Sequence, residues 1–94
     1  CALIKSFVGF KLARLCPFIE SCDLIVGETT CDGKKKAYEV FGEHAPVYVM
    51  EIPHMKRDSD RALLKAEFVR YLEEVERLTG RKIDAEKLKG AIRL

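Results

Sequence analysis

Two short apolar runs, Leu24-Ile25-Val26 and "PVYVMEIP" from Pro46 to Pro53, constrain this chain more than any other feature. The first is uninterrupted, as for a strand covered on both faces, and Gly27 closes it. The second is a β-branched and aromatic run bracketed by prolines. The stretch from Gly27 to Pro46, where the second run begins, is twenty residues long. That is too long for a hairpin but enough for a helical crossover, so the strands are expected to be parallel and the crossover right-handed. The intervening pattern is helical, from Asp32 or Gly33 to Phe41, with Ala37, Val40 and Phe41 apolar and Gly42 as the stop.

Helical patterns flank this unit. Leu3, Ile4, Phe7, Val8, Phe10 and Leu12, with Leu15, fit a helix buried over much of its circumference. "CPFIESC" reads as a loop, because Pro17 pushes Cys16 out of helical geometry. After the second strand comes a long amphipathic helix, capped by Asp58 or Ser59 and ended by Gly80. Leu64, Phe68, Tyr71, Leu72, Val75 and Leu78 form its apolar face, while Arg70, Glu73, Glu74, Glu76 and Arg77 read as a solvated one. A last helix should begin at a cap on Asp84 and run past Leu94. The expected order is α-β-α-β-α-α and the class α/β: a Rossmann-like parallel βαβ unit with flanking helices, part of a larger open-sheet domain. Residues 1–94 open on Cys1 and stop inside an apolar-periodic helix, so they are read as a single α/β piece of a longer, two-domain chain.

With 34% charged residues and a formal net charge of +2, no global field points to nucleic acid or a membrane. No run approaches the roughly 18 apolar residues of a membrane span. Lys5, Lys11 and Arg14 interrupt the opening segment too often for a signal-peptide core, so the cytoplasm is the default location. Four cysteines, Cys1, Cys16, Cys22 and Cys31, could form two disulfides in a secreted mini-protein, but the chain is otherwise rich in Lys, Glu and long helical patterns.

The chemistry concentrates in "GETTCDGKKK", residues 27–36. In an open parallel sheet, ligands gather at the carboxyl ends of strands, where helix N-termini point at the site. Cys31 stands at that place, where the helix dipole and Lys34, Lys35 and Lys36 would favour a thiolate, the form that attacks electrophiles or binds metal. The plainer alternative is a buried cysteine behaving as a small apolar residue. The three lysines carry no GxxxxGK[ST] context, so a solvated helix face is the better account of them. His44 and His54 show no metal-ligand spacing and are read as surface or turn residues; Cys16 and Cys22, with five residues between them, are read as semi-buried thiols.

The segments "DLIVGETTCDGKKKAYE" and "PVYVMEIPHMKR", followed by "VERLTGRKIDAEKLKGAI", resemble the dehydratase D-component family. It comprises the subunits of 2-hydroxyacyl-CoA dehydratases, benzoyl-CoA reductases and double-cubane cluster proteins. The resemblance spans essentially all of the chain and is nearest the double-cubane and dehydratase branches. It implies an iron-sulfur cluster, [4Fe-4S] or double-cubane [8Fe-9S], held by three cysteines. Cys31 would be the second ligand and Cys1 the first, the third lying outside these residues. Cys16 and Cys22 match no ligand position. Thr29, Thr30 and Asp32 become candidates for tuning the cluster from behind the ligands, unless they merely cap the helix.

By the same resemblance the partners are a homologous subunit or second copy, an ATP-dependent iron-sulfur activator protein that injects a low-potential electron, and a CoA-thioester substrate. No nucleic acid and no membrane are implied, and oxygen lability points to an anaerobic cytoplasm. Nothing in these residues chooses dehydratase over reductase. Two other classes stand against an iron-sulfur enzyme: a non-catalytic α/β module with structural cysteines, and metal-free thiol catalysis, which would need a base near Cys31. Exposed apolar edges are expected to be covered by another copy or by further parts of the parent chain.

Overall fold

The computed structural model describes residues 1–93. Its elements are α1 (Ala2–Leu12), α2 (Pro17–Ser21), β1 (Ile25–Glu28), α3 (Asp32–Gly42), β2 (Val47–Met50), α4 (Asp58–Thr79) and α5 (Ala85–Ile92). β1 and β2 pair in parallel, Ile25 opposite Val47 and Glu28 opposite Met50. The chain is therefore mixed α/β around a two-stranded parallel sheet with α3 as the crossover.

A glycine sets the spacing between α3 and the sheet. A Cβ on Gly27 would lie 2.5 Å from the Tyr38 ring, so only the bare backbone lets that ring approach. Strand side chains alternate, so Gly27 and its pair Val49 face α3, while Val26 and Tyr48 face the other way. On that second face the Tyr48 ring meets Tyr71 of α4, with ring centres 5.7 Å apart. The result is helix, sheet, helix, with α1 laid on the outside of α3.

The core lies between α1, α3 and the strands. Phe41 is fully buried and Ala37 nearly so. Phe7 of α1 stacks on Phe41 with ring centres 4.4 Å apart and meets Tyr38 edge-on at 6.3 Å. α1 buries less than its composition suggests: Ile4, Phe7, Val8 and Lys11 are half-buried at helical spacing, and none of its residues is fully buried. Having α3 as its main neighbour, it needs only one stripe. The expectation of a strand covered on both faces is corrected in the same way. Val26 is 46% exposed because α4 reaches Tyr48 but leaves Val26 uncovered, and β1 runs through Gly27 to Glu28 instead of stopping at the glycine.

Local chemistry sets several ends differently from the sequence pattern. Pro17 does hold Cys16 extended, at φ −100° and ψ 108°, yet it then serves as the first residue of α2, where its missing N–H is no loss. The long helix starts after Arg57, and neither Asp58 nor Ser59 is its cap. Asp60 reaches back to accept the Arg57 N–H at 3.1 Å and the guanidinium Nε at 2.7 Å. Gly80 ends α4 in the left-handed region at φ 67°, as its pattern predicts, whereas Gly42 is still helical and Glu43 follows it in right-handed geometry. Asp84 caps α5 by accepting the Glu86 N–H at 2.8 Å; the helix ends at Ile92, and Leu94 lies outside the described residues.

α4 also presents an unexpected stripe to the sheet. Phe68 is 52% exposed, while Glu67 is buried, with Arg70 beside it and its Oε2 accepting the Glu51 N–H at 3.2 Å. Asp60, Leu64, Glu67, Tyr71 and Glu74 are covered along with the expected Leu72 and Val75, so Glu74 is not on the solvated side, and Glu76, bonded to the Ile83 N–H, is half-buried as well.

Two outcomes follow for stability. Phe41→Ala should lower unfolding free energy by about 3–5 kcal/mol in denaturant titrations, with Phe41→Leu milder. Gly27→Ala should cost about 1–3 kcal/mol by forcing the Tyr38 ring off the sheet, and the double variant Gly27→Ala with Tyr38→Leu should recover much of that loss.

Candidate functional site

The chain passes from β1 into α3 through only Thr29 and Thr30, and Cys31 stands at the N-cap, with extended backbone at φ −134° and ψ 125°. Its carbonyl accepts the Lys35 N–H at 3.0 Å, while its thiol makes no capping bond and is left available. Asp32 and Gly33 open the helix. Thr29 Oγ1 accepts the Ile52 N–H at 2.9 Å, tying the end of β1 to the exit of β2. Together these loops border an open cleft of about 310 Å³ lined by Thr29, Lys35, Glu51, Ile52, Pro53 and His54. It lies at the carboxyl ends of both strands, where parallel sheets hold their ligands.

Cys1 occupies the equivalent position on α1. It is the N-cap, its carbonyl accepts the Lys5 N–H at 3.2 Å, and its thiol makes no capping bond either. The first turns of the two helices meet. A Cβ added to Gly33 would lie 3.4 Å from Ile4 Cγ1 and 3.8 Å from the Cys31 sulfur, so Ile4, three residues after Cys1, reaches the first turn of α3 beside Gly33. Both cysteines therefore sit exposed at the positive ends of adjacent helices, on the same side of the α1–α3 pair. Among the described residues no group of three or more His, Cys, Asp or Glu side chains comes together as a metal site.

All four thiols are free. Cys16 is half-buried as expected, but Cys22 is exposed, donating to the Ile19 carbonyl at 3.2 Å beyond the short turn of α2. The lysines are already paired: Lys34 with Glu28 at 2.7 Å, Lys35 with Asp32 at 3.1 Å, and Lys36 with Glu39. They do not form a free cationic cradle. Of the polar candidates near Cys31, Thr29 ties the strand ends together, Asp32 holds Lys35, and Thr30 contributes its backbone N–H. His44 and His54 are both exposed, and His54 lines the cleft.

Comparison with known proteins decides the lineage. The family model for the 2-hydroxyglutaryl-CoA dehydratase D-component matches residues 1–94. The chain belongs to this family. It is also 50% identical, over 95 aligned positions, to the "Putative dehydratase subunit YjiM" of Escherichia coli (strain K12). That alignment takes in all of this chain but 25% of the relative, so the chain spans about a quarter of the relative's length.

One residue beside Cys31 escaped sequence reasoning. Glu28, at the end of β1, accepts the Thr30 N–H at 2.7 Å through one oxygen and the Lys34 ammonium at 2.7 Å through the other. The available signal was its spacing, two residues before one partner and six before the other. The Lys34 hydrogen bond, then those to Thr30, hold its carboxyl down at about 2, below the ordinary 4.5. Lys34 is raised in turn, first by Glu28, with smaller contributions from Tyr38 and Cys31.

Because the folded value of Glu28 lies below the unfolded one, its stabilisation is complete above about 4.5 and is lost as pH falls toward 2. Glu28→Gln should therefore be less stable than the parent at neutral pH and converge with it across that acid window. Denaturation midpoints measured as a function of pH would check this, and a constant offset at every pH would contradict it.

Proposed function

We propose that the protein is an iron-sulfur enzyme of the dehydratase type, in which Cys31 and Cys1 are two of three thiolate ligands to a [4Fe-4S] or double-cubane [8Fe-9S] cluster. The observation that carries this reading is the pairing of two uncapped N-cap thiols, brought to one side of α1 and α3 by the Ile4–Gly33 contact, in a D-component chain. The donor set fits the group in kind, since iron in such clusters takes cysteinate. It is short in number: the described residues offer two such thiols at this place, and in this reading the third ligand lies outside residues 1–94.

When bound, such a cluster supplies low-potential one-electron transfer and, with one iron lacking a cysteine, a position for a substrate oxygen. The chain's own part is to hold and bias it. Two helix N-termini direct unpaired backbone N–H groups and partial positive charge toward the thiolates, which favours the ionised sulfur. Thr29 keeps the two strand ends together, so that the floor of the cleft and the cysteine loop stand in one fixed relation.

In this reading the βαβ unit is one edge of a larger Rossmann-like sheet. The whole protein works as a dimer with a related subunit or second copy, and receives electrons from an ATP-dependent iron-sulfur activator. The substrate class is a CoA thioester of a 2-hydroxy acid, with a double-cubane-type reductase of small molecules as the alternative. Its setting is an anaerobic cytoplasm; among the described residues no helix is long and apolar enough to cross a membrane.

The test is iron and acid-labile sulfide content, with an electron paramagnetic resonance spectrum, on full-length protein prepared without oxygen. Iron should be present in the parent, lost in Cys31→Ser and Cys1→Ser, and retained in Cys22→Ser. A parent that stays iron-free after anaerobic reconstitution, or a Cys31→Ser variant with full iron, would overturn the proposal and leave a non-catalytic α/β module.

A further inference from the structure

We propose that the Glu28–Lys34 ion pair is a positioning clamp for Cys31: it grips the chain on both sides of the cysteine and cancels the lysine charge beside it. This rests on the reading of Cys31 as a cluster ligand. Glu28 is itself fixed in the sheet, paired opposite Met50. From that anchor one carboxylate oxygen takes the N–H of Thr30, immediately before the cysteine, and the other takes the ammonium of Lys34, one turn after it. The short loop between strand and helix is thereby tied at both ends to a rigid support.

Lys34 differs from its two neighbours in where its partner lies. Lys35 and Lys36 pair with Asp32 and Glu39, three residues away within α3, whereas Lys34 crosses back to the strand. It also lies in the first turn of α3, three residues after the N-cap Cys31 and so at neighbouring helical spacing. Both members of the pair are partly shielded, with 41% of the Lys34 side chain and 32% of the Glu28 side chain exposed, so bulk water screens them incompletely. Asp32, the nearest other carboxylate in the chain, is 99% exposed and occupied by Lys35.

The consequences have opposite signs. Without the Glu28 charge, Lys34 acts unopposed on the group bound at Cys31 and stabilises its more negative, reduced state, raising its potential. Without Lys34, the Glu28 carboxylate acts unopposed and lowers it. Neutralising both should return the potential near its starting value. A purely structural role predicts no such reversal.

The experiment uses full-length protein prepared without oxygen as parent, Glu28→Gln, Lys34→Met, the double variant and Cys31→Ser. Iron content, the rate of iron loss to an added chelator and the midpoint potential are measured on each. Glu28→Gln should begin with a full cluster, lose iron at least about tenfold faster than the parent, as when a group orienting a metal ligand is removed, and show a raised potential. Lys34→Met should show a lowered one, and the double variant should come back toward the parent. In cluster-free protein, the Thr30 amide should exchange its hydrogen about tenfold faster in Glu28→Ala, the size expected for losing a bond to a charged acceptor. Potentials that do not move, or move in the same direction in both single variants, overturn the clamp, as does unchanged Thr30 exchange. Full iron in Cys31→Ser overturns instead the ligand reading beneath it.

Discussion

The distance between α3 and the sheet depends on one missing side chain. With a hydrogen at Gly27, the Tyr38 ring lies directly on the backbone of β1, and α3 settles close enough for Phe41 to be sealed from water. Phe7 then finds a flat partner in Phe41, and that stack holds α1 to α3. The same packing has a consequence at the far end of the helix. Because α3 has only 11 residues, setting its middle against the strand also sets its N-terminus, so the place of Cys31 above the strand ends is inherited from a contact seven residues along the helix.

A second layer of control acts at the strand ends, through polar groups. Once β2 stops at Met50, the next backbone N–H groups have no ladder partner and must find one elsewhere. Glu67 of α4 takes the Glu51 N–H and Thr29 takes the Ile52 N–H. This explains why a glutamate is among the most deeply buried side chains of α4. Its carboxylate, with Arg70 beside it, supplies an acceptor that a leucine there could not, and α4 rotates to deliver it even at the expense of exposing Phe68. Side chains from β1's loop and from α4 thus converge on the same turn, and the cleft floor is built from satisfied backbone groups.

Periodicity and spacing made the βαβ frame legible: the separation of the two apolar runs demanded a crossover, and of its apolar positions Ala37, Val40 and Phe41 the first and last are buried while Val40 is exposed. Gly80 and Asp84 were readable because a left-handed stop and a side-chain cap are local devices. What stayed hidden depends on longer-range choices. The hydrophobic face of α4 could not reveal that Glu67 would be preferred to Phe68, because the deciding partner, the Glu51 N–H, is set by where β2 ends. Pro17 signalled a break correctly but not the new turn that it begins, since one residue both ends and starts helices. The place of Cys31, at the start of the helix that follows the first strand, was legible from the spacing. Glu28 was not, because its work is done by bonds to a backbone N–H and to a lysine that looked like part of a solvated run.

That lysine run shows why charge counted along a sequence misleads about charge felt in a fold. Three adjacent ammonium groups suggest a strong positive field at the start of α3, yet each faces a carboxylate, and the local sum is close to zero. What remains at Cys31 is the field of the helix itself, which comes from aligned peptide groups and is fixed in direction. Lysine charge on flexible side chains would fluctuate and attract solvent anions. A helix terminus offers partial charge without mobile groups, and a second terminus at Cys1 offers the same from the neighbouring helix. Wherever anionic sulfur has to be held in a defined orientation, fixed backbone dipoles with the nearby side-chain charges cancelled are a more exact instrument than a cluster of lysines.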